Sequence, residues 1–131
     1  MSLQCQWVVV YFYPKDATPG CTVEAVDFSS LKKEFSKLGV VILGVSKDTP
    51  AAHQKFIKKE SLTIQLLSDV DGAVHASYQV WGKKQFMGKS FLGCVRSTFL
   101  INRPGLIVKI WNNVSVKGHA ADVLATLRSL Q

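Results

Sequence analysis

The stretch VVVYFY, residues 8–13, decides the fold class together with VVILGV, residues 40–45. Both are continuous runs of apolar, β-branched or aromatic residues, which is the pattern of strands covered on both faces of a sheet. Between them, apolar residues recur mostly at steps of three, four or seven before a glycine, namely Val23, Phe28, Leu31, Phe35, Leu38 and Gly39. The segment therefore predicts a strand, one long helix and a second strand in a right-handed crossover.

Two further helices are expected after the second strand. One is predicted over residues 50–60, which begin with a proline, and the other over residues 70–78, with Ser68 and Asp69 as capping candidates. Residues 79–93 are interrupted by glycines and lysines. They predict a long loop, and loops of that length often carry function.

The last third of the chain predicts an antiparallel hairpin and a final helix. Residues 97–101 and 106–111 flank Pro104-Gly105, a pair that suits the central positions of a type II turn. The final helix should bury the apolar residues Val123, Leu124, Leu127 and Leu130. This order of elements predicts an α/β fold with a central mixed sheet flanked by helices, in a single domain spanning residues 1–131.

Composition and charge limit the function classes. The chain is 47% apolar and 19% charged, has no apolar run of the ~20 residues that a bilayer span needs, and lacks an export pattern at its start. Its net charge of +7 is spread over separated lysine pairs, without a nucleic-acid motif. We expect a cytoplasmic protein that binds neither membrane nor nucleic acid. A binding module that uses the basic surface is a third hypothesis, and it predicts strongly salt-dependent affinity.

The cysteines and histidines argue against a metal or disulfide framework. Cys5, Cys21 and Cys94 are an odd number with irregular spacing and contain no Cys-x-x-Cys pair. The histidines show no ligand spacing and are expected at the surface or in helix caps: His53, His75 and His119. The sequence therefore predicts a reducing compartment, no metal and no cofactor.

Cys21 occupies a position that favours an anion. It lies in Thr18-Pro19-Gly20-Cys21-Thr22, where the first buried strand gives way to the first long helix. Free amides and the positive end of the helix dipole stabilise a thiolate there, and the thiolate is the nucleophilic form of cysteine. A single cysteine is also often a buried, inert hydrophobe, so this position alone leaves both interpretations open.

The wider sequence resembles a known family. YFYPKDATPGCTVEA, residues 11–25, is similar to the active-site motif of peroxiredoxins of the bacterioferritin comigratory protein or Q-type branch. The essential positions of that motif are Pro14, Thr18 and Cys21. Residues 80–89 and 96–101 are also similar to that branch, in the same order. The resemblance implies a thioredoxin-like fold and a thiol-dependent peroxidase that reduces hydrogen peroxide and organic hydroperoxides.

The resemblance also implies roles for individual residues. Cys21 would attack the peroxide and become a sulfenic acid, while Thr18 directs its hydroxyl to the thiolate or the peroxide and Pro14 shields the site from water. Arg96 would stabilise the thiolate and the departing oxygen. Each has a structural alternative: a helix N-cap for Thr18, a strand terminator for Pro14, and an ion pair with Glu24 or another carboxylate for Arg96. Two aromatic residues are expected around the site, Trp81 and Phe86.

The chain departs from the family at the second, resolving cysteine. Many relatives carry it five residues after the first, where this chain has Val26, and others in the next helix, where residues 53–60 contain none. A one-cysteine cycle is therefore expected, with thioredoxin, glutaredoxin or glutathione as the reductant. Cys94 is an alternative resolving cysteine, because on a strand it would share a face with Arg96, and Cys5 is a second alternative.

A further departure concerns the first strand. Members of this branch usually begin with an additional segment of roughly thirty residues, including a hairpin, before the strand that starts here near Trp7. Without that hairpin we expect exposed sheet edge or apolar surface, with a monomer or homodimer as the assembly. The alternative function is a non-turnover protein, either a redox sensor or a truncated peroxiredoxin-like chain that keeps the site without an efficient reductant.

Overall fold

The computed structural model of the protein describes residues 6–86, 89–112 and 114–130, with side chains described outside 83–92. In chain order the elements are β1 (Trp7–Phe12), α1 (Pro19–Ser30), α2 (Lys32–Lys37), β2 (Val40–Ser46), α3 (Pro50–Glu60), β3 (Gln65–Ser68), α4 (Ala73–Ser77), β4 (Trp81–Phe86), β5 (Lys89–Cys94), β6 (Ser97–Ile101), β7 (Ile107–Trp111) and α5 (His119–Leu130).

The central sheet has five strands in the order β3-β2-β1-β6-β7. β1 pairs in parallel with β2, and β2 in parallel with β3. On the other side, β1 to β6 and β6 to β7 are antiparallel. The prediction of an α/β fold with a mixed sheet is confirmed, and the apolar runs form the middle strand and one of its two neighbours, where both faces are covered.

Alternation along β1 divides the core into two clusters, one on each face of the sheet. The Cys21 core consists of Val9, Tyr11, Tyr13, Cys21, Ala25, Phe28, Phe35, Val40, Ile42, Phe56, Leu62, Ile64, Leu100, Ala120, Val123, Leu124 and Leu127. The Cys94 core consists of Val8, Val10, Phe12, Val45, Val80, Cys94 and Phe99. The two cysteines that the structure describes therefore lie on opposite faces of the central sheet.

The long first helix is interrupted, and its buried face differs from the predicted one. A break at Leu31 separates α1 from α2. Gly39, with a φ of 73°, follows α2 as expected. Val23 is exposed, because α1 turns Cys21, Glu24 and its other buried residues toward the core. Apolar periodicity does not predict this buried face, because it treats a glutamate as an outward-facing residue.

The prediction of a long loop over residues 79–93 is wrong. β4 and β5 pair in register as a separate two-stranded antiparallel sheet, with Gly82 opposite Gly93. The glycines and lysines hide this hairpin from pattern analysis, because it lacks apolar alternation. β3 was also missed, and the predicted third helix is shortened to α4, whose first amides bond to the carboxylates of Asp69 and Asp71. Ser68 caps no helix and bonds to the Asp48 carbonyl.

The C-terminal hairpin is confirmed, but its turn begins one residue earlier than predicted. The amide of Gly105 donates to the carbonyl of Asn102 at 3.0 Å, and Gly105 adopts a φ of 95°. Pro104 and Gly105 are therefore the third and fourth residues of the turn, not its central pair. β7 forms an edge of the sheet and exposes Ile107, Val108 and Ile110.

In α5 the buried residues include Val123, Leu124 and Leu127, but Leu130 is exposed at the last turn. The histidines contradict our expectation, because all three are buried in hydrogen-bonded contacts: His53 with Asp16, His75 with Asp69, and His119 with Thr98. Burial lowers the pKa of His119 to about 4. Across the described residues, the helices are too short or too polar to cross a membrane.

Candidate active site

Cys21 lies in the first turn of α1, where the sequence placed it. Pro19 opens the helix, and the amide of Thr22 donates to the carbonyl of Thr18 as one of its first helical bonds. Only 1% of the Cys21 residue surface is exposed. The sulfur therefore lies at the electropositive end of a twelve-residue helix while packed in the Cys21 core.

Arg96 contacts the sulfur directly. It lies in the short link between β5 and β6, and its Nη2 lies 3.2 Å from Cys21 Sγ. Nη1 of the same guanidinium donates to Oε1 of Glu24 at 2.6 Å. Burial acts to lower the pKa of Arg96, but the charges of Glu24 and Cys21 outweigh it and raise the pKa above its ordinary value. The cation is thus fixed beside the sulfur at every physiological pH.

Gly20 allows this close approach of the guanidinium. A Cβ at position 20 would lie 3.3 Å from Arg96 Nη2, which is closer than a side chain normally tolerates. The absence of a side chain therefore lets the guanidinium lie against the helix start. The motif glycine has a packing reason that the sequence alone did not supply.

Glu24 is the residue of this site whose importance we underestimated. It lies three residues after Cys21 on the buried face of α1 and is fully buried. Burial raises its pKa to about 7, against the opposing effect of Arg96. Its Oε2 has no hydrogen-bond partner among the described residues. From sequence, Glu24 was expected only as a structural partner for Arg96. In the structure one guanidinium contacts both the Glu24 carboxylate and the Cys21 thiol.

Thr18 and Pro14 lie in the segment between β1 and α1. The Thr18 hydroxyl donates to the carbonyl of Lys15 at 2.8 Å and makes no capping bond to α1. Pro14 is exposed. Between them, Ala17 adopts a φ of 62°, the left-handed region that a residue with a Cβ enters at a cost of about 1 kcal/mol. This segment therefore holds a strained turn two residues before α1 begins.

The structure separates the remaining candidates from Cys21. Cys94 ends β5 in the opposite core, because residues 95 and 96 lie outside the strands and break the alternation that placed Cys94 and Arg96 on one face. Val26 is exposed on α1. Trp81 is half-exposed, with Lys47 over its ring and His75 at its edge. Two candidates lie outside the described positions: Cys5 and the side chain of Phe86.

A second polar cluster adjoins this segment and was missed by sequence analysis. Asp16, Asp48 and His53 bring potential ligand atoms within 4.8 Å of one another. Both ring nitrogens of His53 and Oδ2 of Asp48 already make hydrogen bonds within the protein. The cluster is therefore a hydrogen-bonded network. Asp16 and His53 are 37 residues apart, so no local sequence spacing could have predicted their contact.

Comparison with known proteins agrees with this geometry. The AhpC/TSA family profile matches residues 2–110. A putative peroxiredoxin bcp of Helicobacter pylori J99 is 52% identical over 120 residues, covering 92% of this chain and 79% of the relative. Peroxiredoxin Bcp of Bacillus subtilis is 44% identical over 125 residues, covering 95% and 80%.

Solved structures agree as well. A cysteine-to-serine variant of Xanthomonas campestris peroxiredoxin Q superimposes with a TM-score of 0.93 at 45% identity, covering 98% of this chain and 82% of that one. The bacterioferritin comigratory protein of the same organism, described for alkyl peroxide reduction, gives a TM-score of 0.91 at 45% identity, covering 96% and 80%. The chain therefore belongs to the AhpC/TSA family and, within it, to the thiol-dependent peroxidases named Bcp or peroxiredoxin Q.

Proposed function

We propose that Cys21 is the nucleophile of this peroxidase and that it works in a one-cysteine cycle. The observation that carries the proposal is the 3.2 Å contact between Cys21 Sγ and Arg96 Nη2 at the start of α1. A buried sulfur beside a permanent cation and the positive end of a helix is stabilised as a thiolate. Neither feature is needed for an inert cysteine in an apolar core.

The reaction begins with attack of the Cys21 thiolate on one oxygen of the hydroperoxide. A sulfur–oxygen bond forms as the oxygen–oxygen bond breaks, so that sulfur is oxidised to a sulfenic acid and the departing oxygen, once protonated, leaves as water or an alcohol. Negative charge moves from sulfur to the departing oxygen during this step. A guanidinium within reach of both atoms lowers the barrier, which is the role that we assign to Arg96.

Thr18 and Pro14 have supporting roles in this proposal. The Thr18 hydroxyl gives its proton to Lys15 O, so its oxygen can only accept, and the O–H group of a hydroperoxide is a suitable donor. Pro14 is exposed in the same segment, and we assign to its ring the role of limiting the approach of water. In this proposal Thr18 therefore acts on the bound peroxide, and Pro14 acts by shielding the site from water.

The one-cysteine cycle is supported by the positions of the other candidates. Cys94 packs on the far side of the central sheet, and Val26 occupies the position of a helical resolving cysteine. An external thiol then attacks the sulfenic acid, releases water and forms a mixed disulfide, which a second thiol reduces. We propose thioredoxin, glutaredoxin or glutathione as the source of these thiols, which places the reaction in the cytoplasm.

The substrate class follows from the relatives. We propose that this chain reduces hydrogen peroxide and organic hydroperoxides, because the Xanthomonas protein that it resembles is described for alkyl peroxide reduction. We further propose that residues 1–131 act as one catalytic domain, as a monomer or a homodimer. The exposed apolar edge at β7 favours the dimer at high protein concentration.

A trapping experiment tests the proposal. Reduced protein is mixed with one equivalent of hydrogen peroxide and a dimedone-type reagent, and the adduct is located by peptide mass spectrometry, with Cys21→Ser as the control. We expect a rapid adduct on Cys21 alone. A disulfide between Cys21 and Cys94 would contradict the one-cysteine cycle, and a reaction no faster than that of a free thiol would contradict the peroxidase and leave the non-turnover alternative.

A further inference from the structure

Asp16 is held from three sides although it lies in a connecting segment. Its Oδ1 accepts from the Tyr13 hydroxyl at 2.6 Å, and its Oδ2 lies 2.6 Å from Nδ1 of His53. Its backbone amide donates to Oδ2 of Asp48 at 2.8 Å. The residue is buried, so these contacts replace water around a carboxylate.

The hydrogen-bond partners of His53 favour its charged form. Nε2 lies 3.1 Å from the carbonyl oxygen of Leu67, which can only accept, and Nδ1 faces the Asp16 carboxylate. Both contacts therefore favour the doubly protonated imidazolium, which can donate from each ring nitrogen. Burial acts to lower the pKa of His53, but Asp16 and the Leu67 carbonyl outweigh it and the pKa is raised. Asp16 and His53 thus form a buried ion pair between the segment before α1 and the helix α3.

This ion pair lies next to the strained turn. Ala17, the left-handed residue, directly follows Asp16 and directly precedes Thr18. Conformations of this kind persist when the surrounding contacts over-determine them. Since both the amide and the carboxylate of Asp16 are held, the turn is fixed on its N-terminal side. On its C-terminal side, Thr18 continues into the helix that carries Cys21.

We propose that Asp16 and His53 are positioning residues of the peroxidase, which lock the turn at Ala17 and thereby fix Thr18 and the start of α1 relative to Arg96. Neither side chain contacts the sulfur in any described hydrogen bond, so both act through the backbone of residues 16–18. The inference rests on the proposed role of Cys21. It adds α3, an element distant in sequence, to the parts that determine the reaction rate.

The protein contains a matched control for this proposal. Asp69 and His75 form a second buried carboxylate–imidazole contact with the same 2.6 Å separation between Oδ2 and Nδ1. His75 packs against Phe12 and Trp81, on the face of the sheet opposite Cys21. Loss of this pair should destabilise the protein comparably without moving the turn at Ala17.

The test compares Asp16→Asn, His53→Gln and their double variant with Asp69→Asn. Two rates are measured for each folded protein at one pH: oxidation of Cys21 by hydrogen peroxide, and alkylation of Cys21 by iodoacetamide. A displaced turn should slow the peroxide reaction by about 10-fold to 100-fold, because that reaction needs fixed geometry. Alkylation needs only an accessible thiolate and should change by less than about threefold, whereas partial unfolding of a buried cysteine would accelerate it.

We expect the ratio of the two rates to fall in both single variants, to fall no further in the double variant, and to stay at the wild-type value in Asp69→Asn. An unchanged ratio in Asp16→Asn and His53→Gln, or an equal fall in Asp69→Asn, would overturn the proposal. If Asp16→Asn does not fold, His53→Gln alone decides. A wild-type protein that reacts with peroxide no faster than free cysteine would instead contradict the proposed function of Cys21.

Discussion

The two cysteines that the structure describes are equally buried but differ in their surroundings. Cys21 is 1% exposed and Cys94 is 3% exposed, and they lie on opposite faces of one sheet. Cys94 packs against valines and phenylalanines in its core. Cys21 lies at a helix start with the Arg96 guanidinium 3.2 Å away and a buried glutamate on the same guanidinium. Burial alone therefore does not define the surroundings of a thiol, because Cys21 lies against a partly buried guanidinium at a helix start.

The largest expected effect comes from removing each thiol in turn. Cys21→Ser should lower the rate of hydrogen peroxide consumption by at least about 10³-fold, because a serine hydroxyl is not ionised at neutral pH. Cys94→Ser should keep the rate within about twofold, because the sheet separates it from the site. Stopped-flow measurement with an excess of a small-molecule thiol gives both rates. A loss of turnover in Cys94→Ser, with the first oxidation of Cys21 intact, would make Cys94 a resolving cysteine.

The second effect tests the cation that distinguishes Cys21. Arg96→Lys keeps the charge but replaces a two-armed donor by a single ammonium group, which cannot hold both Glu24 and the sulfur in the observed geometry. We expect the rate constant for oxidation of Cys21 to fall by about 10²-fold to 10³-fold, the usual cost of losing one oriented donor to a developing charge. Arg128→Lys, at an exposed ion pair with Glu34, is the control and should leave the rate unchanged.

The third effect uses the titration of Glu24 beside Cys21. Its pKa is raised from 4.5 to about 7 in the folded protein, so between these values the folded state binds more protons than the unfolded state. The free energy of unfolding should therefore fall as the pH rises through this window, by roughly 3 kcal/mol. Glu24→Gln removes this dependence.

Urea unfolding of both proteins from pH 4.5 to 7 checks this prediction. The difference in unfolding free energy between wild type and Glu24→Gln should shrink steadily across the window, and comparison at equal pH cancels the contributions of His53 and His119. For Cys94→Ser the same difference should be independent of pH. A constant difference for Glu24→Gln would mean that Glu24 is ionised throughout, as a tighter pair with Arg96.

The sequence predicted the parts of this site that are encoded locally. Thr18 to Thr22 lies between a buried strand and a helix, so the position of Cys21 at a helix start follows from neighbouring residues alone. The helix over residues 50–60 was predicted with its observed bounds for the same reason, since Thr49 caps it and Pro50 opens it. Arg96 lies 75 residues from Cys21, and only the family resemblance brought it to the site.

The parts that failed depend on contacts between distant segments. Glu24, His53 and His119 appear polar in sequence and are buried because each has a partner in a distant segment, which periodicity cannot detect. His75 is buried against the nearer Asp69. The β4–β5 hairpin was not predicted for a related reason: Gly82 and Gly93 pair across it, and its strands show no apolar alternation. The prediction that Cys94 and Arg96 share one face of a strand was wrong because β5 ends at Cys94.

The smallest expected effect concerns the approach of Arg96 to Cys21. A methyl group at position 20 would lie 3.3 Å from Arg96 Nη2, so Gly20→Ala should displace the guanidinium by a few tenths of an ångström without unfolding α1. We expect the oxidation of Cys21 to slow by about threefold to tenfold, because the strength of an oriented hydrogen bond falls with small changes in geometry. The control is Gly82→Ala in β4. A Cβ at position 82 meets open space, so this variant should leave the rate unchanged. Peroxide rate constants for the two variants, measured beside their thermal midpoints, separate this displacement from loss of stability. Equal rates in both would show that the guanidinium can shift while still stabilising the departing oxygen, so that charge and not close contact distinguishes Cys21 from Cys94.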